Sequence, residues 1–200
     1  MATPSSAERI LDAAVALVAE RGYDGTTVGE IEATAGLTRR AGGFYRHFSS
    51  KEEVLVRAVE RAAAVMIAEL RLDDIVALRS PRAELLLIAR AMLQHMKTYR
   101  QIRLILWRES HRLPALRAAA NRANHRLAAL DVVPWTKNVL KRSGRRGGDA
   151  RKTSLMIFGP IVLYGLSLDR NEPAFGLKDD GFLNSWVDHW SDWLTAPRKT

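Results

Sequence analysis

Three helix starts near the N-terminus constrain the fold of this chain more than any other feature of its sequence. Each is a hydroxyl residue followed three positions later by a glutamate, the spacing of a capping box, in which both side chains bind free amides of a helix N-terminus. The pairs are Ser5 and Glu8, Thr27 and Glu30, and Ser50 and Glu53. Gly22 and Gly36 lie where the first two helices must end. Two short helices therefore precede a longer one.

A further short helix fits between the second and third of these starts. Thr38 is placed to cap it, and it extends to about Tyr45. The helix that begins at Ser50 is longer, since apolar residues recur along one face for roughly twenty residues. A compact group of three short helices is thus expected within the first fifty residues.

The remaining sequence is also helical in pattern. Pro81 and Pro114 each suit the first turn of a helix, where the missing N–H costs no hydrogen bond. Residues 144–148 predict a loop, and two further helices are predicted over residues 149–168 and 180–194. No segment of useful length alternates as a strand would. The expected fold class is all-α.

Composition agrees with an all-α protein that has a buried core. A chain of 200 residues with 47% hydrophobic content buries enough apolar surface for one domain, or one domain with a small appendage. We divide it into a helix-turn-helix head, residues 1–50, and a helical bundle, residues 51–200. The apolar run of residues 155–168 is shorter than the roughly 20 residues that cross a membrane, so we expect a buried helix there.

The residue types present also limit the chemistry. There is no cysteine, which excludes disulfides and thiolate zinc sites, and the five histidines show no paired ligand spacing. We therefore expect no metal site and no cofactor. The N-terminus, MATPSSAERI, lacks the basic start and the apolar stretch of a secretory signal. A cytoplasmic location is expected.

The net charge of +9 points to an anionic partner only once its position is considered. The first fifty residues carry five Lys or Arg and six Asp or Glu, whereas residues 71–152 carry nineteen and six. The excess charge therefore lies in the middle of the chain. Within residues 36–51, however, four basic residues occur with no acid, which makes a local basic patch.

Residues 26–55 combine a helix-turn-helix pattern with side chains that suit DNA. A capped short helix, a turn and a second short helix give the crossing that presents one helix to the major groove. Apolar residues can hold this crossing together: Val28, Ile31, Ala35, Leu37, Phe44 and Phe48. Polar groups that bind phosphates and base edges stand among them: Thr27, Thr38, Arg39, Arg40, Tyr45, Arg46, His47 and Lys51. The alternative is a plain bundle whose polar residues are only solvated.

The stretches ERILDAAVALVAERGYDGTTV, AGLT and FYRHFSSKEEVL resemble the first fifty residues of TetR-family regulators, at matching spacing from Glu8 to Leu55. The resemblance implies contacts to the DNA backbone from Thr27, Tyr45, His47 and Lys51. It places three residues at the start of the recognition helix: Thr38, Arg39 and Arg40.

One departure from the family pattern lies in the recognition segment. Many members have a shorter stretch between the turn glycine and the aromatic pair, whereas residues 40–43 lengthen it here. Gly42 and Gly43 also lower the intrinsic stability of a helix by roughly 1 kcal/mol each relative to Ala. We therefore expect this stretch, with Gly43 at the DNA surface, to order fully on DNA.

Two further sites are expected in the helical bundle. Family members dimerise through their last two long helices, and one aromatic and apolar set suits such an interface: Phe158, Ile161, Phe182, Trp186, Trp190 and Trp193. The alternative is that this set fills the core of one chain.

A pocket for a small molecule is expected in the middle helices: His95, Met96, Tyr99, Arg103, Trp107 and His111. The positive charge of residues 71–152 suggests that this molecule is anionic. The alternative is that these residues are ordinary core and surface.

The resemblance implies a DNA-binding transcription regulator, most simply a homodimeric repressor that a small-molecule effector releases from its operator. An activator or architectural DNA binder with the same head is the alternative. An enzyme would need a nucleophile and a base that face each other, and only the sequential pairs Ser110-His111 and Asp188-His189 are candidates. Neighbours on a helix point about 100° apart, so we expect no catalytic activity.

Overall fold

The computed structural model describes residues 3–37, 43–69, 78–129, 132–145, 148–168 and 176–196. Within these ranges the protein is helical and contains no strand, which confirms the predicted all-α fold. Its helices are α1 (Ser6–Arg21), α2 (Val28–Thr34), α3 (Lys51–Glu69), α4 (Pro81–Thr98), α5 (Arg100–Glu109), α6 (Pro114–Ala129), α7 (Val132–Arg142), α8 (Ala150–Ser167) and α9 (Asp179–Thr195). None of these helices is both long and apolar enough to span a membrane.

The first two helix starts are closed as the sequence predicts. The Ser5 hydroxyl oxygen accepts the N–H of Glu8 at 3.2 Å, and the Glu8 carboxylate accepts the N–H of Ser5 at 2.7 Å. Thr27 and Glu30 form the same reciprocal pair at 3.3 and 2.8 Å. Both capping boxes are therefore confirmed, and each satisfies amides that the first turn of a helix leaves without a partner.

The start of α3 differs in detail from the predicted box. The Ser50 hydroxyl accepts the N–H of Glu53 at 3.1 Å, but the Glu53 carboxylate reaches past Ser50 and accepts the N–H of Ser49 at 2.7 Å. The neighbouring Glu52 caps another helix, since its carboxylate accepts the N–H of Ala115 in the first turn of α6 at 2.9 Å. The first turn of α3 thus stabilises two helix N-termini.

Contacts divide the chain into two compact units. Unit 1 comprises residues 1–65 and 99–126, and unit 2 comprises residues 66–98 and 127–200. This division by packing does not follow the predicted domain boundary at residue 50, because α5 and most of α6 pack with the N-terminal helices. The boundary between functional domains stays a prediction.

Unit 1 has one apolar core, to which all of its helices contribute. Side chains from α1 pack against α2 and α5, and the start of α3 and one face of α6 complete the core. Among its buried members are Ile10, Val18, Ile31, Phe44, Val54 and Leu116.

Unit 2 has its own core, centred on aromatic rings. Trp135 of α7 lies 5.6 Å from Phe158 of α8, and Phe158 lies 6.2 Å from Trp186 of α9, between ring centroids. The indole N–H groups are satisfied: Trp186 donates to the carbonyl of Ile157 at 2.8 Å, and Trp135 donates to the fully buried carboxylate of Glu84 at 2.9 Å. Helices α4, α7, α8 and α9 are joined through this core.

The structure corrects the expectation that α8 is a buried helix. Its inner face is in the core of unit 2, but its outer face is apolar and exposed in the single chain. Leu155 and Leu163 are 75% and 69% exposed, and the other exposed members of this face are Met156, Val162 and Leu166. Apolar residues on both sides of one helix gave the long apolar run in the sequence. We call the exposed set the α8 outer face: Leu155, Met156, Val162, Leu163 and Leu166.

Candidate nucleic-acid interface

Residues 43–48, which we call the aromatic segment, form consecutive turns in the head. The N–H groups of His47 and Phe48 both donate to the carbonyl of Phe44, each at 3.0 Å. Phe44 is fully buried and its ring lies 5.9 Å from that of Phe48, which is also in the core. Residues 43–45 form turns and not the predicted helix to Tyr45. Glycine at position 43 contributes to this difference, because it has a low helix propensity.

Three polar side chains of the aromatic segment are exposed on its outer side. Tyr45 is 64% exposed, with its ring in edge contact with Phe44 at 5.2 Å. Arg46 and His47 are also exposed. A phenol, a guanidinium and an imidazole are groups that bind phosphate oxygens. The fold therefore brings three of the predicted DNA contacts to one turn, above a buried aromatic base.

Glu32 is a buried carboxylate of α2 that positions the start of the aromatic segment. It is 3% exposed, and its Oε1 accepts the backbone N–H of Phe44 at 3.1 Å. Gly43 lies directly beside it, where a Cβ would be 3.3 Å from Cδ1 of Leu37. A side chain at position 43 would therefore press on Leu37, in the stretch that follows α2.

Thr27 and Lys51, two predicted contacts to the DNA backbone, have structural partners within the head. The Thr27 hydroxyl accepts the N–H of Glu30 and donates to the Glu30 carboxylate at 2.7 Å. Lys51 Nζ donates to the carbonyls of Tyr23 at 2.7 Å and Thr26 at 2.5 Å, and lies 4.3 Å from the centre of the Tyr23 ring. Their contacts with DNA stay predictions. Three other predicted residues, Thr38, Arg39 and Arg40, lie outside the described residues.

Two buried acids that the sequence analysis missed share a signal that could have revealed them. Glu32 occupies the same helix face as the buried Ala35, and Glu109 follows the buried Ile102 and Ile105 at helical spacing on α5. An acidic residue at an apolar position of an amphipathic helix is expected to have a specific partner, because burial of an unpaired charge is costly.

The residues predicted for the small-molecule pocket are divided between the two units. His95 and Met96 belong to unit 2, where Met96 is buried so tightly that a Cβ on Gly165 would lie 2.3 Å from its Sδ. The other four belong to unit 1, and of these Trp107 is 79% exposed: Tyr99, Arg103, Trp107 and His111. The pocket stays a prediction.

Unit 2 contains a cleft that the sequence analysis did not anticipate. It has a volume of about 640 Å³ and opens between the start of α4 and the ends of α7 and α9. Two of its lining residues carry guanidinium groups, and one of these, on Arg142, also binds Glu84 at 2.6 Å. The residues that line it are Arg79, Pro81, Arg142, Ser143, Leu194 and Thr195.

Four of the six residues predicted for a dimer interface are instead buried within the single chain. Their exposed fractions are below a tenth, because the aromatic rings pack on one another inside unit 2: Phe158, Ile161, Trp186 and Trp190. This corrects their assignment, since such side chains have almost no surface left for a partner. Trp193 remains 36% exposed, and Phe182 is partly exposed and stacks on Tyr164 at 4.2 Å.

The sequential pairs considered for catalysis have other partners. Asp188 forms an ion pair with Arg82, and the ring of His189 packs edge-on against Trp190 at 5.2 Å. Ser110 ends α5, with its N–H donated to the carbonyl of Leu106. In the part of the chain that the structure describes, no group of three or more His, Cys, Asp or Glu side chains could hold a metal ion.

Known proteins match this chain most specifically in the head. Residues 10–58 match the profile of the family described as bacterial regulatory proteins, tetR family. An uncharacterised HTH-type transcriptional regulator, YerO of Bacillus subtilis, is 42% identical over 53 residues, which cover 26% of this chain and 18% of that protein. The negative regulator of the biofilm operon icaADBC, IcaR of Staphylococcus epidermidis, is 36% identical over 53 residues, 26% of this chain and 28% of that protein. The chain thus spans less than a third of the length of the curated relatives that it matches.

Solved structures match the fold of the whole chain. The fatty acid degradation regulator FadR of Bacillus halodurans has a TM-score of 0.71 and 19% identity, covering 100% of this chain and 99% of that one. FadR of Bacillus subtilis, solved in complex with stearoyl-CoA, has a TM-score of 0.65 and 23% identity, covering 94% and 97%. At this identity the likeness shows the fold. The match to the tetR family is thus confined to the head, and the likeness of the whole chain is one of fold.

Proposed function

We propose that this protein is a transcription repressor that binds operator DNA through its head in the bacterial cytoplasm. The observation that carries the proposal is the aromatic segment, where Tyr45, Arg46 and His47 stand exposed over the buried Phe44 and Phe48. The segment lies within the residues that match the tetR family. A rigid apolar base with phosphate-binding groups above it is the arrangement that a helix-turn-helix needs at the DNA backbone.

Binding to DNA can be measured by fluorescence anisotropy with the labelled promoter region beside the protein's own gene. We expect Tyr45→Phe and Arg46→Ala to weaken binding to all sequences alike, because phosphate contacts carry no sequence information. The control is Arg117→Ala, an exposed arginine of α6 in the same unit. A folded protein that shows no binding at low salt, or an Arg117 variant as weak as the other two, would refute the proposal.

Repression is favoured over activation by one relative, since IcaR is described as a negative regulator. A reporter gene under the same promoter separates the two outcomes. Loss of the protein should raise expression if it is a repressor and lower it if it is an activator. DNA binding without any change in expression would favour an architectural role.

We further propose that the protein acts as a homodimer through the α8 outer face. This face exposes five apolar side chains on one helix, and the exposed Trp193 of α9 adds aromatic surface. Gly159, which lies between Met156 and Val162 in the sequence of α8, has open space where a Cβ would be, so the helix backbone is accessible to close packing there. A contiguous apolar patch of this kind marks an interaction site more often than free surface, and two heads read paired half-sites.

Sedimentation equilibrium tests the dimer. Leu163→Glu places a charge in the middle of the α8 outer face and should convert a dimer to a monomer. Leu87→Glu is the matched control, because Leu87 is an exposed apolar residue of α4, with 47% of its surface accessible. A wild-type monomer, or a Leu163 variant that remains dimeric, would contradict the proposal.

The effector, in our proposal, is an anionic small molecule. The excess of Lys and Arg in residues 71–152 and the two arginines of the unit 2 cleft support this choice. Stearoyl-CoA, the ligand of one FadR structure with this fold, is a suitable anionic probe. Titration calorimetry should show binding that depends on salt concentration. If the probe binds in the cleft, Arg79→Ala should weaken binding, and if it binds in the predicted pocket, Trp107→Ala should weaken it. A preference for neutral or cationic compounds would refute an anionic effector.

A further inference from the structure

The turn between α1 and α2, residues 22–26, is fixed by its own backbone geometry. We call it the corner. Gly22 has a φ of 82°, in the left-handed region, and the hydroxyl of the buried Thr26 donates to the Gly22 carbonyl at 2.9 Å. At Gly25 a Cβ would lie 2.5 Å from the carbonyl oxygen of Arg21, which only glycine permits. Because α2 begins at residue 28, the direction in which the chain leaves the corner sets the position of α2.

Lys51, the first residue of α3, holds the corner from one side. Two of its three N–H donors are directed at corner carbonyls, those of Tyr23 and Thr26, and its charge lies over the Tyr23 ring. Such charge-assisted bonds are stronger than those between neutral groups. An ammonium engaged in this way has one donor left, so its place in the structure is explained without DNA.

Glu109, near the end of α5, holds the corner from the core. Its side chain is 9% exposed, and Oε1 accepts the backbone N–H of Tyr23 at 3.2 Å. The same oxygen is 3.5 Å from where a Cβ on Gly22 would be, so the carboxylate packs close to the first residue of the corner. Both backbone polar groups of Tyr23 are therefore bound, its N–H by a carboxylate and its carbonyl by an ammonium.

Arginines on either side of Glu109 extend this contact. Arg108 Nη2 donates to the carbonyls of Val18 and Ala19, each at 2.7 Å, in the last turn of α1, where the Val18 carbonyl also accepts the N–H of Gly22 at 2.9 Å. Arg112 binds the carboxylate of Asp24 at 2.6 Å, but both side chains are more than half exposed, so this pair contributes little. The buried Glu109 is thus the residue of α5 on which the position of the corner depends most.

We propose that Lys51 and Glu109 are positioning residues for DNA binding, which fix the corner and hence α2 and the aromatic segment without touching DNA. The proposal rests on the DNA-binding function proposed above. For Lys51 it replaces the phosphate contact that the family resemblance implies. It also gives α5 a direct connection to the head, through a carboxylate and a backbone amide.

Electrostatics alone and positioning predict opposite effects on DNA binding for the loss of Glu109, but the same effect for the loss of Lys51. Removal of the Lys51 cation should weaken DNA binding under either view, but removal of the Glu109 anion should strengthen it if only long-range charge mattered. Positioning requires both losses to weaken binding. The salt dependence separates the two views for Lys51. The slope of log K against log salt concentration is negative, and each lost phosphate contact reduces its magnitude by about 0.9.

The test is fluorescence anisotropy with promoter DNA over a series of KCl concentrations for Lys51→Met and Glu109→Met, which remove the donor and the acceptor that hold the corner. We expect each variant to bind roughly tenfold more weakly, the size typical of residues that act without touching the ligand, with the wild-type salt slope. Lys51→Arg should restore most of the affinity. Arg46→Ala gives the reference for a lost phosphate contact, and Arg122→Ala, whose exposed guanidinium pairs with Glu60 at 3.1 Å, is the control for loss of a cation.

A reduced salt slope for Lys51→Met would overturn its role as a positioning residue, and unchanged or tighter binding by Glu109→Met would overturn that of Glu109. If the wild-type protein binds no DNA, the proposed function fails, and hydrogen exchange then tests the positioning itself. Amides of residues 22–35 should exchange faster in both variants than in Arg122→Ala. Equal exchange in all three would show that neither residue holds the corner.

Discussion

The carboxylate of Glu32 accepts the backbone N–H of Phe44 at 3.1 Å in the buried interior of the head. This bond joins α2 to the aromatic segment, so an acid on the opposite, buried side of the chain contributes to the position of the exposed Tyr45. The head therefore depends on a buried charge for the placement of its surface.

Glu32→Ala should destabilise the protein by about 1–3 kcal/mol, because it leaves the buried N–H of Phe44 without an acceptor. Urea unfolding followed by circular dichroism measures this change. Glu20→Ala removes an exposed acid of α1 and is the control, expected within about 0.5 kcal/mol of wild type. Equal stability of the two variants would show that the Glu32 bond contributes nothing.

Two glycines of α8 should respond to alanine in opposite directions. Gly165→Ala places a Cβ 2.3 Å from Sδ and 3.2 Å from Cβ of the buried Met96, so we expect a loss of about 1–3 kcal/mol from overpacking. In the Leu163→Glu variant, which we expect to be monomeric, Gly159→Ala meets no atom within 4 Å and should stabilise the helix by up to about 1 kcal/mol.

A double variant checks the cause of the Gly165 effect. Met96→Ala removes Sδ and Cε, the two atoms that lie nearest to the new Cβ, so Gly165→Ala should cost less in that background than in wild type. Thermal unfolding of the four proteins in the cycle gives the coupling between the two sites. An additive result would exclude the Met96 contact as the cause.

Arg142→Met should destabilise unit 2 through Glu84. The fully buried Glu84 carboxylate binds two nitrogens of Arg142 at 2.9 and 2.6 Å, and its remaining partner in these contacts is the Trp135 indole. Loss of one member of a buried pair costs about 3–5 kcal/mol, and we expect the lower end because the Arg142 side chain is 31% exposed.

The matched control for Arg142 is Arg82→Met, which removes an ion pair whose two side chains are each 56% exposed. Such surface pairs contribute at most about 1 kcal/mol. Introducing Glu84→Gln together with Arg142→Met removes the uncompensated charge and should recover part of the stability. A double variant as unstable as the sum of both single variants would argue against the ion pair.

Stability should fall at alkaline pH because of Tyr164. Burial, aided by the hydrogen bond to Asp179 and the charge of that carboxylate, raises the pKa of Tyr164 from 10.0 to about 12. The unfolded chain therefore loses this proton near pH 10 while the folded protein keeps it. Since the folded state then binds more protons than the unfolded state, the free energy of unfolding decreases as the pH rises from about 10 to about 12.

Urea unfolding between pH 9 and pH 12 checks this dependence. Tyr164→Phe keeps a ring to stack on Phe182 but has no hydroxyl, so its stability should decline less steeply over that interval. Absorbance at alkaline pH gives a second readout, in which the late part of the tyrosine ionisation of the folded protein should be smaller in Tyr164→Phe than in wild type. Identical pH profiles for the two proteins would mean that Tyr164 does not control the effect.

The sequence by itself determined the features that act over a few residues. The capping boxes at Ser5 and Thr27 could be predicted because each requires only a hydroxyl and a carboxylate three positions apart. The end of α2 at Gly36 could be predicted for the same reason, since this glycine has a φ of 68°, which favours a residue without a side chain. The all-α fold follows from these local signals and from helical periodicity.

Only the tertiary structure decided which helix faces are covered. Periodicity shows that Trp186 and Trp190 share a face, but not whether that face meets a second chain or the rings of the same chain, and here it meets Phe158. Likewise, a single apolar run could not reveal that α8 has one buried face and one exposed face that includes Leu163.

The partners of charged side chains were also decided by the tertiary structure. Lys51 has the sequence position of a DNA contact, but its ammonium is bound to carbonyls 25 and 28 residues earlier in the chain. Glu109 binds an amide 86 residues away. Sequence spacing determines a capping bond because both groups belong to one helical turn, whereas a contact over such separations exists only after two helices have packed.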